Sequence, residues 1–314
     1  PFGTQIGQDI DGENYDDQLG NAVELNSDGS IMAVAAFEYN DGQNDNAGYV
    51  RVYENINGSW SQLGQDIIGE EGSRSGTAIS LNSSGNIIAI GSIDKNGNNS
   101  PTNEGQGFVR VYEYINNIWV QLGLDLYTES GGGGYAVSLD NSGYIVALAD
   151  YRANANSGSM GVYAWNGNQW LWRSGGSGSS ANCSYGKSIS LSGDGNRLIV
   201  GEPGNDSNGI WNGVTWILEY GYYAGLQTYG VIDSISGQNL WDQCGYTVSL
   251  SNNGNSVAIF FNANINDFVR VYQQQFGAWN QIGQDIVVSS ITWDGKNVIL
   301  SGDANILSMG PLIY

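Results

Sequence analysis

One short motif recurs along this chain, and its spacing indicates a repeat architecture. Three of its copies follow a tryptophan, and a fourth tryptophan marks a degenerate copy. The steps between these four tryptophans are 59, 51 and 109 residues, so they correspond to one or two repeats. The copies are Gln5–Ile10, Gln62–Ile67, Gln121–Leu126 and Gln281–Ile286, and the tryptophans are Trp60, Trp119 and Trp279, with Trp170 marking a degenerate copy. A recurring unit of this size predicts that each repeat is one supersecondary element stacked on its neighbours.

Each repeat also carries a segment that alternates small polar residues with Val, Ile or Leu, the period of a β-strand. The six copies are Ala22–Leu25, Ala78–Leu81, Ala136–Leu139, Ser188–Leu191, Thr247–Leu250 and Ser290–Trp293. A tight turn and a continuous apolar run follow, which is typical of a strand buried on both faces. A third strand reads Val50–Tyr53, Val109–Tyr112 and Val269–Tyr272, with weaker copies at Met160–Tyr163, Thr215–Tyr220 and Pro311–Tyr314.

Four antiparallel strands in six copies predict an all-β chain, a single six-bladed β-propeller of four-stranded blades. We expect one domain over residues 1–314, with blades at about 20–67, 76–126, 134–173, 186–232, 245–286 and 289–314 plus 4–10. The sixth repeat ends after its third strand, so the N-terminal strand Gln5–Ile10 is expected to complete that blade and close the ring.

The segments Gly76–Leu81, Ser84–Gly85, Ile88–Gly91 and Gly107–Tyr112 resemble the FG-GAP repeats of integrin-α-type propellers. The Trp-x-Gln-Leu-Gly-x-Asp-Ile pattern is similar to repeats in secreted surface proteins of marine bacteria and some of their viruses. This resemblance implies a propeller in an extracellular or particle-surface setting, with an adhesion or assembly role. FG-GAP hairpins typically hold calcium, but the segment Asn26–Ser30 offers a single carboxylate, so family-type calcium sites are not expected.

The charge of the chain disfavours several partners. Lys and Arg number 10 against 31 Asp and Glu, giving a net charge of -21, which repels nucleic acid and anionic lipid. No apolar run approaches the length of a membrane span. The chain has no His, so Ser–His and Cys–His catalytic pairs are excluded, and no enzyme activity is expected.

Long connections should gather at one end of the blades, because alternate loops of an up-and-down sheet fall on the same side. Four aromatic residues outside the repeat pattern lie in or beside these loops and are the candidate ligand-binding residues: Tyr151, Trp172, Trp211 and Trp241. They suit a glycan or a protein contact, with channel plugging or loop packing as the alternative. The acidic loops around them predict a neutral or cationic partner.

Two further features are candidate sites. Asp41 and Asp45, in the segment Asn40–Asp45, form a calcium candidate, and no other cofactor is expected. Cys183 and Cys244 each precede a first strand, in successive blades, and are expected to form a disulfide.

We therefore expect a non-enzymatic binding or adhesion module at the extracellular, cell or virion surface, which recognises a glycan or a protein through its long-loop face. A structural component of a virus particle or surface filament, able to self-associate, remains an alternative. A glycoside hydrolase is the third.

Overall fold

The computed structural model describes residues 5–14, 16–40, 46–93, 107–207, 209–264, 266–288 and 297–310. Its strands form antiparallel sheets, most of them four-stranded, arranged as the blades of a β-propeller. The described part of the chain includes no helix long and apolar enough to cross a membrane.

Five blades follow one another along the sequence, each with strands in the order one to four. Blade one contains β1 (Leu19–Leu25), β2 (Ile31–Ala36), β3 (Tyr49–Ile56), β4 (Ser59–Gln62) and β5 (Ile67–Ile68), the last two both paired with β3. Blade two contains β6 (Ala78–Leu81), β7 (Ile87–Ser92), β8 (Phe108–Ile115) and β9 (Ile118–Gln121). Blade three contains β10 (Ala136–Leu139), β11 (Ile145–Asp150), the helical turn α1 (Ala153–Asn156), β12 (Ser159–Trp165) and β13 (Trp170–Ser177).

The remaining sheets show where the repeat changes. Blade four contains β14 (Ile189–Leu191), β15 (Arg197–Glu202), β16 (Val214–Tyr223) and β17 (Leu226–Ser236). Blade five contains β18 (Cys244–Leu250), β19 (Ser256–Phe261), β20 (Asp267–Gln275) and β21 (Ala278–Val288). A sixth sheet pairs only β22 (Asn297–Leu300) with β23 (Leu307–Gly310).

The core lies between neighbouring blades. The second strand of each blade is apolar on both faces and almost entirely buried, as in the run Ile87–Ser92. One apolar cluster joins Ile31 and Ala33 of blade one to Ile79 and Ile88 of blade two, and equivalent clusters follow between later blades. Burial between blades explains why one repeat could not form a stable core alone.

Hydrogen bonds join the Val-Arg-Val-Tyr motif of the third strand to the Gln-x-Gly-x-Asp motif that follows it. In blade one the guanidinium of Arg51 donates to Asp66, with Nε to Oδ1 at 2.7 Å. Arg110 with Asp125 and Arg270 with Asp285 repeat this pair, also at 2.7 Å. The arginine of the third strand therefore holds the aspartate of the following Gln-x-Gly-x-Asp segment, and these arginines are structural.

The tryptophan of one blade packs against the motif glycine of the blade before it. Trp119 Nε1 donates to the carbonyl of Leu63 at 2.8 Å, and its backbone pairs with the side chain of Gln65. Trp170 repeats the indole bond with Leu122. The side chain of Gln8 pairs with the backbone of Trp60 and the carbonyl of Ile6 accepts from its indole, so the N-terminal segment lies before blade one as a preceding fourth strand would.

Two hydrogen-bond series run around the inner strands and identify the sixth sheet. The hydroxyl of each first-strand serine accepts from the next blade's leucine N–H, from Ser80 with Leu139 to Ser249 with Leu300. Hairpin backbones are linked in the same order, ending with Asn252 N–H donating to the carbonyl of Gly302. Leu300 occupies the same position in this hydrogen-bond series as Leu250, which lies on a first strand. The strand β22 is therefore a first strand, and β23 is a second strand.

The prediction of six four-stranded blades is therefore wrong. The described residues form five blades, of which the first has five strands and the others four, and one two-stranded sheet. The sequence places a second strand at Val298–Leu300, whereas the inter-blade hydrogen bonds make this segment a first strand. The expected first strand Ser290–Trp293 and third strand Pro311–Tyr314 lie outside the described residues. Closure by the N-terminal strand is not shown, since the described residues of Gln5–Ile10 form no strand.

Candidate functional site

A cavity of about 160 Å³ opens among blades three, four and five, at the end of the blades where the long loops meet. Tyr151 reaches it from the loop after β11, and Trp211 from the loop between β15 and β16. Lys187 lies just before β14, and Tyr246 lies on β18. Ser184, Pro203, Gly204 and Gln243 complete the lining. Three aromatic rings and one ammonium group thus face this space.

Two indoles stack at the rim of this cavity. The rings of Trp211 and Trp241 lie 5.6 Å apart between centroids, at an interplanar angle of 29°. Their residues remain 38% and 42% exposed. Exposed stacked indoles present flat apolar surface to solvent, and such surface is enriched where proteins bind ligands.

Both tryptophans also have a backbone conformation that is unusual for large side chains. Trp211 has φ 53° and Trp241 has φ 69°, in the left-handed region. The positions equivalent to Trp211 hold Asn46 and Asn156, with φ 54° and 61°. The positions equivalent to Trp241 hold Gly72 and Asn182, with φ 71° and 65°.

Backbone hydrogen bonds establish this equivalence. The N–H of Arg74, Ser184 and Gln243 donates to the carbonyl of Asn46, Asn156 and Trp211 respectively. Asn and Gly adopt positive φ at little cost, whereas bulky residues there are outliers that cluster at functional sites. Trp211 and Trp241 thus occupy left-handed positions where other blades have Asn or Gly.

Lys187 provides the positive charge of the cavity. Its Nζ lies 3.8 Å from the ring centroid of Tyr151 and 5.4 Å from that of Tyr246. In the described residues no carboxylate lies within ion-pair distance of this ammonium. Burial, and secondarily the charge of Arg152, lower the pKa of Lys187 to about 8. Arg152 itself stacks on Tyr135, 4.3 Å from the ring centroid.

Three carboxylates of the loops and strand ends around this site accept hydrogen bonds from nearby groups of the protein. Asp206 Oδ1 accepts from the N–H of Trp211 at 2.7 Å. Asp242 accepts from the N–H groups of Gln238 and Asn239, both at 2.8 Å. One oxygen of Glu202 accepts from Trp216 Nε1 at 2.6 Å and from Asn205 Nδ2 at 2.8 Å. These acids therefore stabilise the loops that carry the indoles.

The four aromatic residues singled out in the sequence do not all meet. Tyr151 and Trp211 line the cavity, and Trp241 stacks on Trp211. Trp172 instead lies on β13 and packs edge-on against Tyr163, 5.1 Å between centroids, above Gly161 and Gly175 of its own blade. It is separate from the cavity because its strand is the outer one of blade three. Lys187, Tyr246 and Gln243 were missed, although Lys187 and Tyr246 each follow a repeat glycine and Gln243 precedes one.

The calcium candidates Asp41 and Asp45 lie outside the described residues. Among the residues that are described, no group of three or more Asp, Glu, Cys or His side chains is arranged to hold a metal ion.

The predicted disulfide is wrong, since Cys183 and Cys244 are both free and buried. Cys183 lies three positions before its repeat glycine Gly186, whereas Cys244 lies directly before Gly245, so the two thiols occupy different places in the blade. Cys183 Sγ donates to the carbonyl of Ser157 at 3.2 Å, while Cys244 Sγ contacts Thr215 Oγ1 at 3.4 Å. Burial raises the pKa of both thiols.

No family model matches the sequence, and no curated protein matches it. Among solved structures, the chain is similar to the periplasmic gluconolactonase of Pseudomonas aeruginosa, with TM-score 0.58, 16% identity, and coverage of 89% of this chain and 76% of that one. TolB from Acinetobacter baumannii gives TM-score 0.47 and 13% identity, covering 85% of this chain and 54% of TolB. The chain thus spans about half the length of TolB. The similarity to the gluconolactonase supports the propeller fold.

Proposed function

We propose that this chain is a glycan-binding module, whose ligand occupies the cavity and stacks on the Trp211–Trp241 pair. The observation that carries the proposal is the left-handed backbone of both tryptophans, at positions where other blades have Asn or Gly. Such a costly choice is expected where the indole itself is needed. The hydroxyl groups at the edge of a sugar ring would contact Gln243 and Ser184, and its apolar face would stack on an indole.

The proposed setting is the outside of a cell or virion, as for the FG-GAP-like surface proteins that the repeats resemble. The gluconolactonase shares the fold, and folds host many activities, so fold similarity does not decide between binding and catalysis. The binding assay should therefore also monitor turnover of any bound glycan or lactone. Turnover that depends on the cavity would make this chain an enzyme and contradict the proposal.

The direct test replaces Trp211 with Asn, the residue at the equivalent positions in blades one and three. Because Asn tolerates the left-handed backbone, Trp211→Asn should keep the thermal stability of the wild type. Affinity for a glycan identified on an array should fall at least about tenfold, as expected for a central aromatic contact.

Trp172→Phe is the matched control, since Trp172 is 39% exposed but lies away from the cavity. This variant should bind as the wild type does. Unchanged binding by Trp211→Asn, or an equal loss in both variants, would contradict the proposed site.

A further inference from the structure

Resting on that proposed function, we infer that the cavity selects an acidic sugar, whose anionic substituent pairs with the ammonium of Lys187. The acidic loops taken as a whole predict a neutral or cationic partner. The cavity differs from those loops because Lys187 lines it. This lysine has no carboxylate partner in the described residues.

Most described arginines lie within 4.0 Å of a carboxylate, and Lys187 does not. The paired arginines are Arg51, Arg74, Arg110, Arg197 and Arg270. Acidic residues outnumber Lys and Arg by 31 to 10. The composition therefore does not explain why Lys187 faces the cavity without an acidic partner in the described residues. A half-buried charge without a carboxylate partner in the described residues is costly, which favours a ligand that supplies the opposite charge.

The rings around Lys187 determine how such an anion would be held. The ammonium lies against the face of Tyr151, with Tyr246 further away, so the rings restrict its position and exclude water on those sides. Electrostatic attraction is stronger in a site from which water is excluded. The indole of Trp211 borders the same cavity, so one sugar ring could stack there while its acidic group contacts Lys187.

The charged and titratable groups facing Lys187 come from two neighbouring blades. Blade three contributes Tyr151 and Arg152, and blade five contributes Tyr246. Asp150 precedes Tyr151 and accepts from the N–H of Arg152 at 2.9 Å. The charge of Arg152 acts on Lys187 and contributes to its lowered pKa. Within this set Lys187 is the group whose charge changes near pH 8, so anion binding should weaken as the pH rises past that value.

The test uses an array of matched glycans that carry a uronate, its methyl ester, a sulfate ester or no substituent on the same ring. Each hit is titrated against the wild type, Lys187→Met and Lys187→Arg. We expect the uronate or the sulfate glycan to bind about 10- to 100-fold more tightly than its neutral counterpart, a typical effect for a charged hydrogen bond. The array shows which of the two anionic groups is preferred.

Lys187→Met should abolish the preference for the anionic glycan, and Lys187→Arg should retain it up to pH 9, where the wild type loses it. Arg197→Met removes one positive charge from the opposite end of blade four, at the start of β15, and should leave the preference intact. A preference that survives in Lys187→Met, or equal binding of acid and ester, would overturn this inference but leave glycan binding in place. Absence of binding to every glycan would overturn the proposed function as well.

Discussion

At the scale of single residues, charged side chains in this chain divide by whether they have a partner. Arg51, Arg110 and Arg270 have an aspartate fifteen positions later and complete the blade. Their hydrogen bonds to the carboxylates raise the arginine pKa values, which keeps the guanidinium groups charged. Lys187 has the opposite shift, because burial works against its charge. Groups whose charge is disfavoured by the folded structure are candidates for function rather than stability.

A stability measurement distinguishes these roles for Lys187. Its pKa falls from 10.5 to about 8 on folding, so the unfolded chain binds more protons between these values. The contribution of Lys187 to the free energy of unfolding therefore rises with pH across this window, and its ammonium destabilises the fold below about pH 8. Lys187→Met should be at least as stable as the wild type at pH 7 in urea unfolding.

The difference in the free energy of unfolding between Lys187→Met and the wild type should shrink from pH 8 to 10.5. Other groups that titrate in this range affect both proteins equally, so the shrinking difference reports on Lys187. A Lys187→Met protein that is less stable than the wild type at pH 7 would instead assign this lysine a structural role.

At the scale of elements, neighbouring blades are joined by an indole lying over a glycine. Gly64 has φ 78°, and a Cβ built on it would come within 2.8 Å of Trp119 Cδ1. Gly7 and Gly123 have the same relation to Trp60 and Trp170. Gly283 has the same backbone, φ 74°, but no described atom lies within 4 Å of its Cβ position. The motif glycine thus serves two separate needs, a left-handed backbone and contact with the next blade.

Paired substitutions separate these two needs. Gly64→Ala and Gly283→Ala share the backbone cost of about 1–2 kcal/mol for an L-residue in the left-handed region. Only Gly64→Ala also pushes against an indole, which should add about 1–3 kcal/mol. Chemical denaturation of both variants measures the difference. Equal losses would show that the indole contact contributes nothing to the cost.

At the scale of the whole molecule, the N-terminal segment contacts blade one in the way that the Gln-x-Gly-x-Asp segment of blade one contacts blade two. Gln8 and Ile6 make three hydrogen bonds with Trp60, the same set that Gln65 and Leu63 make with Trp119. The segment therefore supports blade one from the side that faces away from blade two.

Deleting residues 1–10 should lower the free energy of unfolding by about 2–4 kcal/mol, since three hydrogen bonds to Trp60 are lost. Tryptophan fluorescence should shift to the red as Trp60 is exposed. Gln8→Ala removes two of the three bonds and should give a smaller loss. A truncated protein that unfolds at the same urea concentration as the full chain would show that the segment has no structural role.

The repeat in the sequence was sufficient to predict an all-β propeller with antiparallel four-stranded blades, because alternation of side chains and turn residues are local properties of a strand. The strand order within five blades follows from the same pattern. The sequence alone also drew attention to Tyr151, Trp211 and Trp241, since they interrupt an otherwise regular repeat.

Only the tertiary structure decided which strand of the sixth sheet is which, since that depends on hydrogen bonds such as Leu300 to Ser249, between residues 51 positions apart. It likewise separated Cys183 from Cys244, which differ by two positions in the repeat, and Trp172, which lies on an outer strand, from the other aromatics. The strand and the position of a residue within a blade decide which side chains it meets. The cavity around Lys187 was not visible in the sequence for the same reason. Its lining comes from three blades, and their relative positions are fixed by packing between sheets rather than by any local pattern.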